Sequence, residues 1–427
     1  MSLRTSTTRA GVALVAALPL AALSLAGALP AGAQTAQPLY RWVQYVPGGV
    51  EARAVTMASV CPEALIDDRP VAMKTRAAPG PEYPVRVCAL PIPAGSTSAA
   101  IAGARLPLPK QNPDRVMLLG DTGCRVTLLV NQSCNSPAEW PFQSGQNEKL
   151  AQKPDVIIHV GDFHYRESGC RIFNRGCAGS PHGDSWAVWE ADFFKPAKPL
   201  LEAAPFVFVR GNHEECSRGG KGWARTLDPW PFVSAAGCLR HGAPFVADLG
   251  SPKLVVMDVA TADEGHANPR QVEQFRKEFS GIAALAPSGP VWVTMHRPIR
   301  AAGVAVLGFV IGDNKTLAAA SRGTMPANVQ MLLSGHIHTF QALGYQSDLP
   351  AQIVSGHGGD ELHTTAPSTV AGLTINGEKV ASGLGVPGVF GFAMLEREGA
   401  DWRLTDHDMA GEPLATCLIR GRTLACN

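Results

Sequence analysis

Short apolar runs recur along the chain with a spacing that predicts a mixed α/β fold. Six runs are apolar enough to be strands with both faces covered, at 115–119, 155–160, 206–210, 253–257, 291–295 and 329–333. Two stretches between them predict helices, at 185–203 and 269–284, and the second has Asn268 as a candidate N-cap before Pro269. Since strands alternate with helices, we predict an α/β domain with covered sheet faces, closed by a hairpin at 389–396 and 402–406.

The chain before residue 113 has a different texture. Short β-type runs at 40–46, 52–56 and 85–90 alternate with segments rich in Pro and Gly. The stretch 91–113 is rich in Pro, Ala, Gly and Ser and predicts a connector. We therefore predict a small β-domain over residues 34–112 and a larger α/β domain over residues 113–427.

The first 33 residues have the pattern of a secretory signal peptide. Arg4 and Arg9 precede an apolar stretch over 10–30, and residues 31–33 read Ala-Gly-Ala, a small-x-small cleavage pattern. We predict cleavage after Ala33 and hence a secreted or periplasmic protein. Because the apolar stretch is longer than usual, an uncleaved membrane anchor is the alternative. The longest later apolar run, 301–312, is too short to span a bilayer.

Ten cysteines follow this segment, an even number that indicates disulfides in an exported chain. Their spacing suggests that neighbours pair, as Cys61–Cys88, Cys124–Cys134, Cys170–Cys177, Cys216–Cys238 and Cys417–Cys426. A zinc site is the alternative, which the lack of any C-x-x-C pair disfavours.

Composition and charge narrow the class of protein. The 427 residues are 45% hydrophobic, and 37 basic residues balance 36 acidic ones. A nucleic-acid binder would show a basic excess, and a disordered chain would have less apolar content and a larger net charge. We therefore expect a globular enzyme that does not bind nucleic acid.

Five of the predicted strands end at a side chain able to bind a metal ion. In chain order these side chains are Asp121, Asp162, Asn212, His296, and the pair His336 and His338. The carboxyl ends of strands in α/β sheets are where sites are built. Each motif alone is weak, because a Gly-Asp turn, for example, is usually only a turn. Five such motifs in one order are specific.

In this order the motifs resemble those of the calcineurin-like metallophosphoesterases, and among them the purple acid phosphatases. The family pattern G-D-x-G, G-D-x-x-Y, G-N-H-E/D, V-x-x-H and G-H-x-H reads here GDTG, GDFHY, GNHE, VTMH and GHIH. Most relatives open with D-x-H, whereas this chain has Gly123 there and Tyr165 in the second motif, the substitution that distinguishes the purple acid phosphatase branch. The resemblance covers about residues 113–340. It implies a β-sandwich flanked by helices, after a leading domain similar to fibronectin type III.

The resemblance also implies two metal ions. Their ligands would be Asp121, Tyr165 and His338 for the first ion, Asn212, His296 and His336 for the second, and Asp162 for both. A phenolate with carboxylates suits Fe³⁺, and an amide with two imidazoles suits Zn²⁺, Mn²⁺ or Fe²⁺. One bridging carboxylate can hold two ions about 3.5–4 Å apart.

The implied activity is the hydrolysis of phosphomonoesters by direct attack of a metal-bound hydroxide. His213 matches the family histidine beside the leaving oxygen, and we expect it to act as general acid or leaving-group stabiliser, with a hydrogen bond to a ligand as the alternative. His164 and His357 are candidates for substrate contact. Arg166 and Arg297 are candidates for anion binding, although a surface position is the simpler expectation for each.

Two other functions are compatible with the same motifs. A phosphodiesterase would use the same metal centre on a different ester. A metal-bearing binding protein would keep the ligands without turnover, against which the intact ligand set and His213 argue. The sequence leaves the substrate, the divalent ion and the oligomeric state open.

Overall fold

A computed structural model describes residues 37–235, 237–306 and 309–427, with backbone alone at 304–306 and 309–311. The described residues belong to one compact unit. The predicted signal peptide, residues 1–33, lies outside the described residues. Within the described ranges, no helix has both the length and the apolar character that crossing a bilayer requires.

Strands dominate the described part of the chain. In chain order they are β1 (Tyr40–Val46), β2 (Gly49–Thr56), β3 (Glu63–Ile66), β4 (Arg69–Ala72), β5 (Lys74–Ala77), β6 (Arg86–Ile92), β7 (Ala99–Ile101), β8 (Ala104–Arg105), β9 (Arg115–Leu119), β10 (Val156–His159), β11 (Phe206–Phe208), β12 (Phe245–Ala247), β13 (Lys253–Val256), β14 (Val291–Thr294), β15 (Val304–Val306), β16 (Phe309–Ile311), β17 (Val329–Ser334), β18 (Phe340–Tyr345), β19 (Ala351–Ser355), β20 (Thr374–Ile375), β21 (Glu378–Val386), β22 (Gly391–Glu398), β23 (Asp401–Asp408), β24 (Pro413–Arg420) and β25 (Thr423–Cys426).

Helices are fewer and mostly short. They are α1 (Gln146–Ala151), α2 (Trp186–Trp189), α3 (Lys195–Ala203), α4 (Gly220–Thr226), α5 (Pro269–Leu285) and α6 (Lys315–Ser321). A π-helical turn, Glu190–Phe194, joins α2 to α3. The N-cap prediction for α5 is confirmed, because the Asn268 side chain accepts hydrogen bonds from the backbone N–H groups of Arg270 and Gln271.

Two large sheets form the centre of the molecule. The first has the strand order β25-β24-β23-β22-β9-β10-β11-β1-β2-β6-β5, and the second β12-β13-β14-β17-β19-β18-β21-β20. Apolar side chains of both sheets, such as Leu118 and Ile158 from the first and Trp292 and Leu333 from the second, form one buried core between them. The sheets therefore pack face to face as a sandwich.

Helices cover the outer faces of this sandwich. Phe193 and Leu200, from the helical segment around α3, pack with Ile157 of the first sheet. Phe275 and Phe279 of α5 pack with Val293 of the second. The expected β-sandwich flanked by helices is thus confirmed, and each predicted strand and helix has its counterpart among these elements.

The N-terminal segment takes part in the first sheet. β1 pairs in parallel with β11, with Gln44 opposite Phe206, and β2, β6 and β5 extend the sheet beyond it. The predicted connector 91–113 is wrong in part, because β7 and β8 lie within it and join β3 and β4 in a four-stranded sheet. The boundary at residue 112 falls between strands of different sheets, and a separate domain over 34–112 stays a prediction.

Five disulfides join neighbouring cysteines, and no cysteine is free in the described residues. The pairs are Cys61–Cys88, Cys124–Cys134, Cys170–Cys177, Cys216–Cys238 and Cys417–Cys426. The predicted pairing is therefore confirmed.

The register of the parallel strands places several loops at one edge. Leu119 at the end of β9 lies opposite His159 of β10, which lies opposite Phe208 of β11. In the second sheet Thr294 of β14 lies opposite Leu333 of β17. Since all these strands run in parallel within their sheets and end level with their neighbours, the loops that follow them are adjacent.

Candidate metal centre

The loops after β9, β10, β11, β14 and β17 bring the predicted metal ligands into one cluster. Its members, connected by contacts of about hydrogen-bond length, are Asp121, Asp162, Tyr165, Asn212, His296, His336 and His338. All are buried except His336, which is partly exposed. Residues from both sheets therefore meet at a single buried polar site.

The first half of the cluster comprises Asp121, Tyr165 and His338, with Tyr165 at its centre. Its Oη lies 3.1 Å from Oδ1 of Asp121, 2.9 Å from Oδ2 of Asp162 and 3.1 Å from Nε2 of His338. His338 donates from Nδ1 to the carbonyl of Glu361 at 2.7 Å, which makes Nε2 the ring nitrogen that faces the cluster.

Asp162 connects this first half to the second half, which comprises Asn212, His296 and His336. The same Oδ2 that lies near Tyr165 is 3.1 Å from Nε2 of His296, which is also 3.1 Å from Oδ1 of Asn212. His296 donates from Nδ1 to the carbonyl of Val160 at 2.8 Å, so its Nε2 is the ring nitrogen that faces the cluster. Asp162 and His296 further share a group with His336 whose ligand atoms lie within 4.8 Å of one another.

The backbone at the strand ends is strained in the same way three times. Asp121, Asp162 and His336 adopt left-handed conformations, with φ of 54°, 58° and 71°. Such values are uncommon outside glycine and occur where the surrounding structure enforces them, often at functional sites. The turns thereby direct each side chain back toward the edge where the loops meet.

Two glycines give these carboxylates their space. A Cβ on Gly211 would collide with the Asp162 carboxylate, and a Cβ on Gly335 would collide with Oδ2 of Asp121. The His336 backbone N–H, next to Gly335, donates to both carboxylate oxygens of Asp121 at 3.0–3.1 Å. Each of these two motif glycines is therefore required because its backbone closely approaches a carboxylate, as glycine backbones do in P-loops and turns.

The cluster concentrates negative charge in a buried place. Burial raises the pKa of Asp121 well above its usual value, and the adjacent Asp162 carboxylate raises it further. The pKa of Tyr165 is raised by burial and by the same two carboxylates. Burial also disfavours ionised Asp162, but His296 and His213 outweigh burial and lower its pKa. Cations bound among these groups would favour their ionised forms.

The donor set fits two metal ions. Asp121, Tyr165 and His338 supply a carboxylate, a phenol oxygen and an imidazole, a set that includes hard anionic ligands. Asn212, His296 and His336 supply an amide oxygen and two imidazoles, and Asp162 faces both sets.

Two ion pairs from outside the motifs, Glu264–Arg297 and Asp360–Arg125, lie next to His336 and His338. Oε1 of Glu264 lies 2.5 Å from Nε2 of His336 and 2.6 Å from Nη1 of Arg297. Glu264 thus occupies the Nε2 side of His336 and leaves Nδ1 for a metal ion. Oδ2 of the buried Asp360 lies 3.3 Å from Nε2 of His338 and is paired with Arg125.

His213 packs directly on the cluster. Its ring centre is 3.8 Å from that of Tyr165, and its Nε2 is 4.0 Å from Oδ2 of Asp162. Nδ1 lies 2.8 Å from Oε1 of Glu167, which also accepts from Nε of Arg218 at 2.6 Å. Burial lowers the pKa of His213 to about 3, although Asp162 and Glu167 oppose that shift.

Glu214 ties two of the loops together. Its carboxylate accepts hydrogen bonds from four backbone N–H groups, of Asp162, Phe163, His164 and Gly211, at 2.8–3.1 Å. Glu214, the last residue of the GNHE motif, therefore holds the loop after β10 against the loop after β11.

The structure does not bring His164 and His357 to the cluster with the ligands. The buried His164 ring lies 3.1 Å from the carbonyl of Gly183 through Nε2. The His357 ring is wholly buried, with Nε2 2.9 Å from Oδ1 of Asp406. For both histidines, packing in the core sets the direction of the side chain. The position of a residue just after a strand does not reveal that direction.

The surface expectation for the two arginines is wrong. Arg166 is buried and paired with Asp192, with 2.5 Å between Nε and Oδ1. Arg297 is largely covered, with Nη1 3.4 Å from Nε2 of His336. Both have carboxylate partners that are distant in the sequence, so the loop sequence alone gave no signal for burial.

Sequence reasoning missed Glu264, Glu167, Arg218, Asp360 and Arg125. Glu167 follows Asp162 in the same loop, and Asp360 follows the glycines after β19, so strand-end position was a weak signal for both. Glu264 lies eight residues beyond the end of β13, where no pattern marks it.

Comparisons with known proteins agree with this architecture. The model of the calcineurin-like phosphoesterase family matches residues 114–340, more than half of the chain. A purple acid phosphatase from yellow lupin (Lupinus luteus) seeds superposes with a TM-score of 0.55 at 14% identity, over 89% of this chain and 74% of the other. The structure of PhoD superposes with a TM-score of 0.50 at 10% identity, over 93% of each chain. Among curated proteins no match was found.

Proposed function

The chain belongs to the calcineurin-like phosphoesterases, and we propose that it is an exported phosphatase of the purple acid phosphatase type that hydrolyses phosphomonoesters. That it is a metal-dependent phosphoester hydrolase follows from the family. The finer assignment rests on one observation, the position of Tyr165 Oη 2.9–3.1 Å from Asp121, Asp162 and His338. A phenol oxygen at this place supplies the hard ligand that a trivalent ion prefers.

In the proposed centre Asp121, Tyr165 and His338 would hold Fe³⁺, Asn212, His296 and His336 would hold a divalent ion, and Asp162 would serve both. Bound ions would supply charge stabilisation to the phosphoryl oxygens and a lowered pKa for water.

His213 is proposed to handle the proton of the leaving oxygen. Glu167 accepts from Nδ1, whereas Nε2 lies 4.0 Å from Oδ2 of Asp162 and 2.9 Å from Nη2 of Arg218. Arg218 on the same carboxylate restrains Glu167, and hence the imidazole, in this orientation. Because Nδ1 already donates to Glu167, a proton at Nε2 requires the imidazolium form, which the lowered pKa of His213 confines to acidic solution. From that form the proton would pass to the ester oxygen as its bond to phosphorus breaks.

Preference for a monoester is proposed from the resemblance of the motifs to those of the purple acid phosphatases. The nearby guanidinium groups do not decide it, because Arg297 and Arg218 are each paired with a carboxylate, Glu264 and Glu167. The phosphodiesterase reading remains the second candidate, because the donor set would serve it equally.

The first experiment compares an aryl phosphate monoester with the matching diester, using the wild-type protein and Asp162→Asn, with metal content measured on both. We expect monoester turnover that falls by at least about 10³-fold in the variant together with loss of bound metal. Faster diester cleavage would replace the proposed substrate class. Two bound metals with turnover of neither ester would favour the binding-protein alternative.

The role of His213 is tested through the leaving group. We expect His213→Ala to slow hydrolysis of an alkyl phosphate by about 10²–10⁴-fold but to slow a nitroaryl phosphate much less, since a good leaving group needs no proton. His164→Ala is the matched control, because that ring is buried nearby but bonds Gly183. Equal losses on both esters, or loss of metal, would assign His213 a structural role.

Iron at the first position has a spectroscopic test. A tyrosinate bound to Fe³⁺ gives the protein a visible charge-transfer colour, which Tyr165→Phe should abolish. A colourless, active wild-type protein that contains only zinc or manganese would refute the Fe³⁺ assignment without touching the fold.

Export is proposed from the N-terminal pattern and supported by five disulfides, which form in oxidising compartments. N-terminal sequencing of the protein secreted by its host is expected to begin at Gln34. An intact N-terminus in a membrane fraction would support the anchor alternative.

A further inference from the structure

Two loops closed by disulfides expose large apolar side chains. The first runs between Cys124 and Cys134 and the second between Cys170 and Cys177, and we call the two together the double loop. Leu128 and Leu129 of the first loop are 81% and 73% exposed, and Ile172 and Phe173 of the second are 94% and 96% exposed. Apolar side chains this exposed and this close together indicate an interaction surface.

Hydrogen bonds hold the two tips side by side. Nη2 of Arg171 donates to the carbonyls of Leu128 and Leu129 at 2.6 and 3.0 Å. The backbone N–H of Arg171 donates to Oδ1 of Asn131 at 3.0 Å. The apolar side chains of both loops therefore lie on one fixed projection rather than on independent, mobile segments.

The backbone carbonyls at the tip of the first loop already have hydrogen-bond donors, as burial in an apolar environment requires. Nδ2 of Asn131 donates to the carbonyls of Thr127 and Val130 at 2.6 and 2.7 Å. With Arg171 on the two carbonyls between them, all four carbonyls of residues 127–130 have a donor within the protein. Burying a carbonyl in lipid is costly only when it has no such donor.

The charge of the double loop is of one sign. Residues 124–134 and 170–177 contain Arg125, Arg171 and Arg175 and no Asp or Glu. Arg125 is paired with the buried Asp360, whereas Arg171 and Arg175 are exposed beside the apolar tips. Exposed apolar side chains with flanking basic groups are the composition of segments that bind anionic bilayer surfaces.

The exposure of the tips favours a bilayer over a protein partner. Side chains that are 94% and 96% exposed stand clear of the surrounding surface and offer no groove for a partner to fill. A fluid bilayer needs no complementary shape, because its acyl chains rearrange around whatever enters. We propose that the double loop inserts into the surface of an anionic lipid bilayer.

Membrane binding would also locate the metal centre. The backbone N–H of Val126, in the first loop, donates to the carbonyl of Tyr165 at 3.1 Å. The double loop thus begins at the first half of the cluster, and insertion of its tips would hold that half near the lipid headgroups. The binding itself does not depend on the proposed function.

The test is co-sedimentation with vesicles, using the chain from Gln34 onward because the preceding apolar stretch would bind lipid by itself. Vesicles of phosphatidylcholine with about 30% phosphatidylglycerol are compared with phosphatidylcholine alone, at low and high salt. We expect binding to the anionic vesicles, weakened by salt. Replacing Leu128, Leu129, Ile172 and Phe173 by serine should weaken it by at least about tenfold.

The matched control places serine at two exposed apolar positions elsewhere, Val60 and Leu414, which are 63% and 38% exposed. This control should bind like the wild type. The four-serine variant retains both disulfides and should keep the wild-type unfolding temperature and aryl phosphate turnover, which separates lost binding from a lost fold.

A second measurement reports insertion directly. Because the chain already contains eight tryptophans, the emission of Phe173→Trp is compared with that of the wild type. The added emission should shift to the blue with anionic vesicles and be quenched by brominated acyl chains. Unchanged binding of the four-serine variant, or no binding of the wild-type protein, would overturn the proposal. A dimer of the wild-type protein that the four serines dissociate would assign the double loop to self-association instead.

Discussion

At the scale of single residues, a carboxylate outside the proposed ligand set contacts one of the proposed ligand histidines. Glu264 lies 2.5 Å from Nε2 of His336, and Arg297 shares that carboxylate at 2.6 Å. A carboxylate on the far nitrogen of a ligating histidine fixes its orientation and raises its basicity. Arg297 in turn keeps Glu264 ionised and in place, since the histidine and the guanidinium both lower the pKa of that carboxyl group.

We predict that Glu264→Gln lowers the affinity of the second ion by about 10–100-fold. The amide keeps the shape of the side chain but loses the charge that faces the imidazole. Titration of the apoprotein with Zn²⁺ measures the effect, and Glu273→Gln, an exposed change on α5, is the control. Unchanged affinity would mean that packing alone orients His336.

Burial of the charged side chain of Lys149, outside this site, destabilises the folded protein. The ammonium group of Lys149 is wholly buried, 3.3 Å from the carbonyl of Gly145 and 5.5 Å from the ring centre of Phe392. Burial lowers the pKa of Lys149 to about 7, with the charge of Glu148 acting in the opposite direction. In the unfolded chain the same group titrates near its usual value of 10.5.

The sign of the pH dependence follows from this difference. Between about pH 7 and 10.5 the unfolded chain binds more protons than the folded one, so the contribution of Lys149 to the free energy of unfolding rises with pH. Below pH 7 both states are protonated and the whole destabilising cost is present.

We predict that Lys149→Met raises the free energy of unfolding by about 1–4 kcal/mol at pH 6.5, by an amount that shrinks toward pH 9.5. Urea unfolding at the two pH values measures it. The exposed Lys74→Met should show no such convergence. A gain that is constant with pH would mean that better packing, and not the buried charge, explains the variant.

At the scale of elements, the five parallel strands β9, β10, β11, β14 and β17 each end in a turn that brings a proposed ligand to the sheet edge. Gly211, after β11, approaches Asp162 so closely that a Cβ would strike its carboxylate and its backbone nitrogen. Glu214 holds the same two loops together from the other side. The geometry of the centre is therefore set by how two neighbouring strand ends fit together.

We predict that Gly211→Ala destabilises the protein by about 1–3 kcal/mol and displaces Asp162, with loss of bound metal. Thermal unfolding and metal content measure the two effects. Gly281→Ala is the matched control, because a Cβ there meets nothing and the residue lies inside α5. That change should stabilise by about 0.5–1 kcal/mol, and wild-type metal content in Gly211→Ala would contradict the steric argument.

At the scale of the whole molecule, the N-terminal strands complete the first sheet. The buried Arg53 of β2 donates from Nη1 to the carbonyl of Thr226 at 2.6 Å, and Nε2 of Gln44 donates to the carbonyl of Leu227 at 2.9 Å. Trp42 belongs to the same buried cluster as Phe206 and Leu200. Much of the surface that these residues cover is apolar and would otherwise meet water.

The sheet pairing argues against the domain division at residue 112 that the sequence predicts. We expect residues 113–427 produced alone to fail to fold, because removal of β1 leaves the edge of β11 and its apolar neighbours uncovered. Solubility, near-UV circular dichroism and cooperative unfolding measure this, with the chain from Gln34 onward as control. A fragment 113–427 that unfolds cooperatively and binds metal would instead support the predicted domain division at residue 112.

The local sequence determined much of this protein. Period and turn residues predicted the five strands that carry the cluster, several other strands and the long helix α5. Cysteine spacing predicted the disulfides, and five motifs supplied every member of the proposed ligand cluster. These features were accessible because each depends on residues close together in the chain. A strand end and the turn after it are adjacent by covalent connection, whatever the rest of the fold does.

Only the tertiary structure decided which distant groups meet. Glu264 contacts His336, and Asp360 contacts His338 and Arg125, through sheet pairing that the local pattern does not encode. The rings of His164 and His357 turn into the core for the same reason, since packing against other elements sets side-chain direction. Residue type and short spacing give the candidate chemistry, whereas orientation, protonation and partners depend on contacts that form when both sheets close over one core.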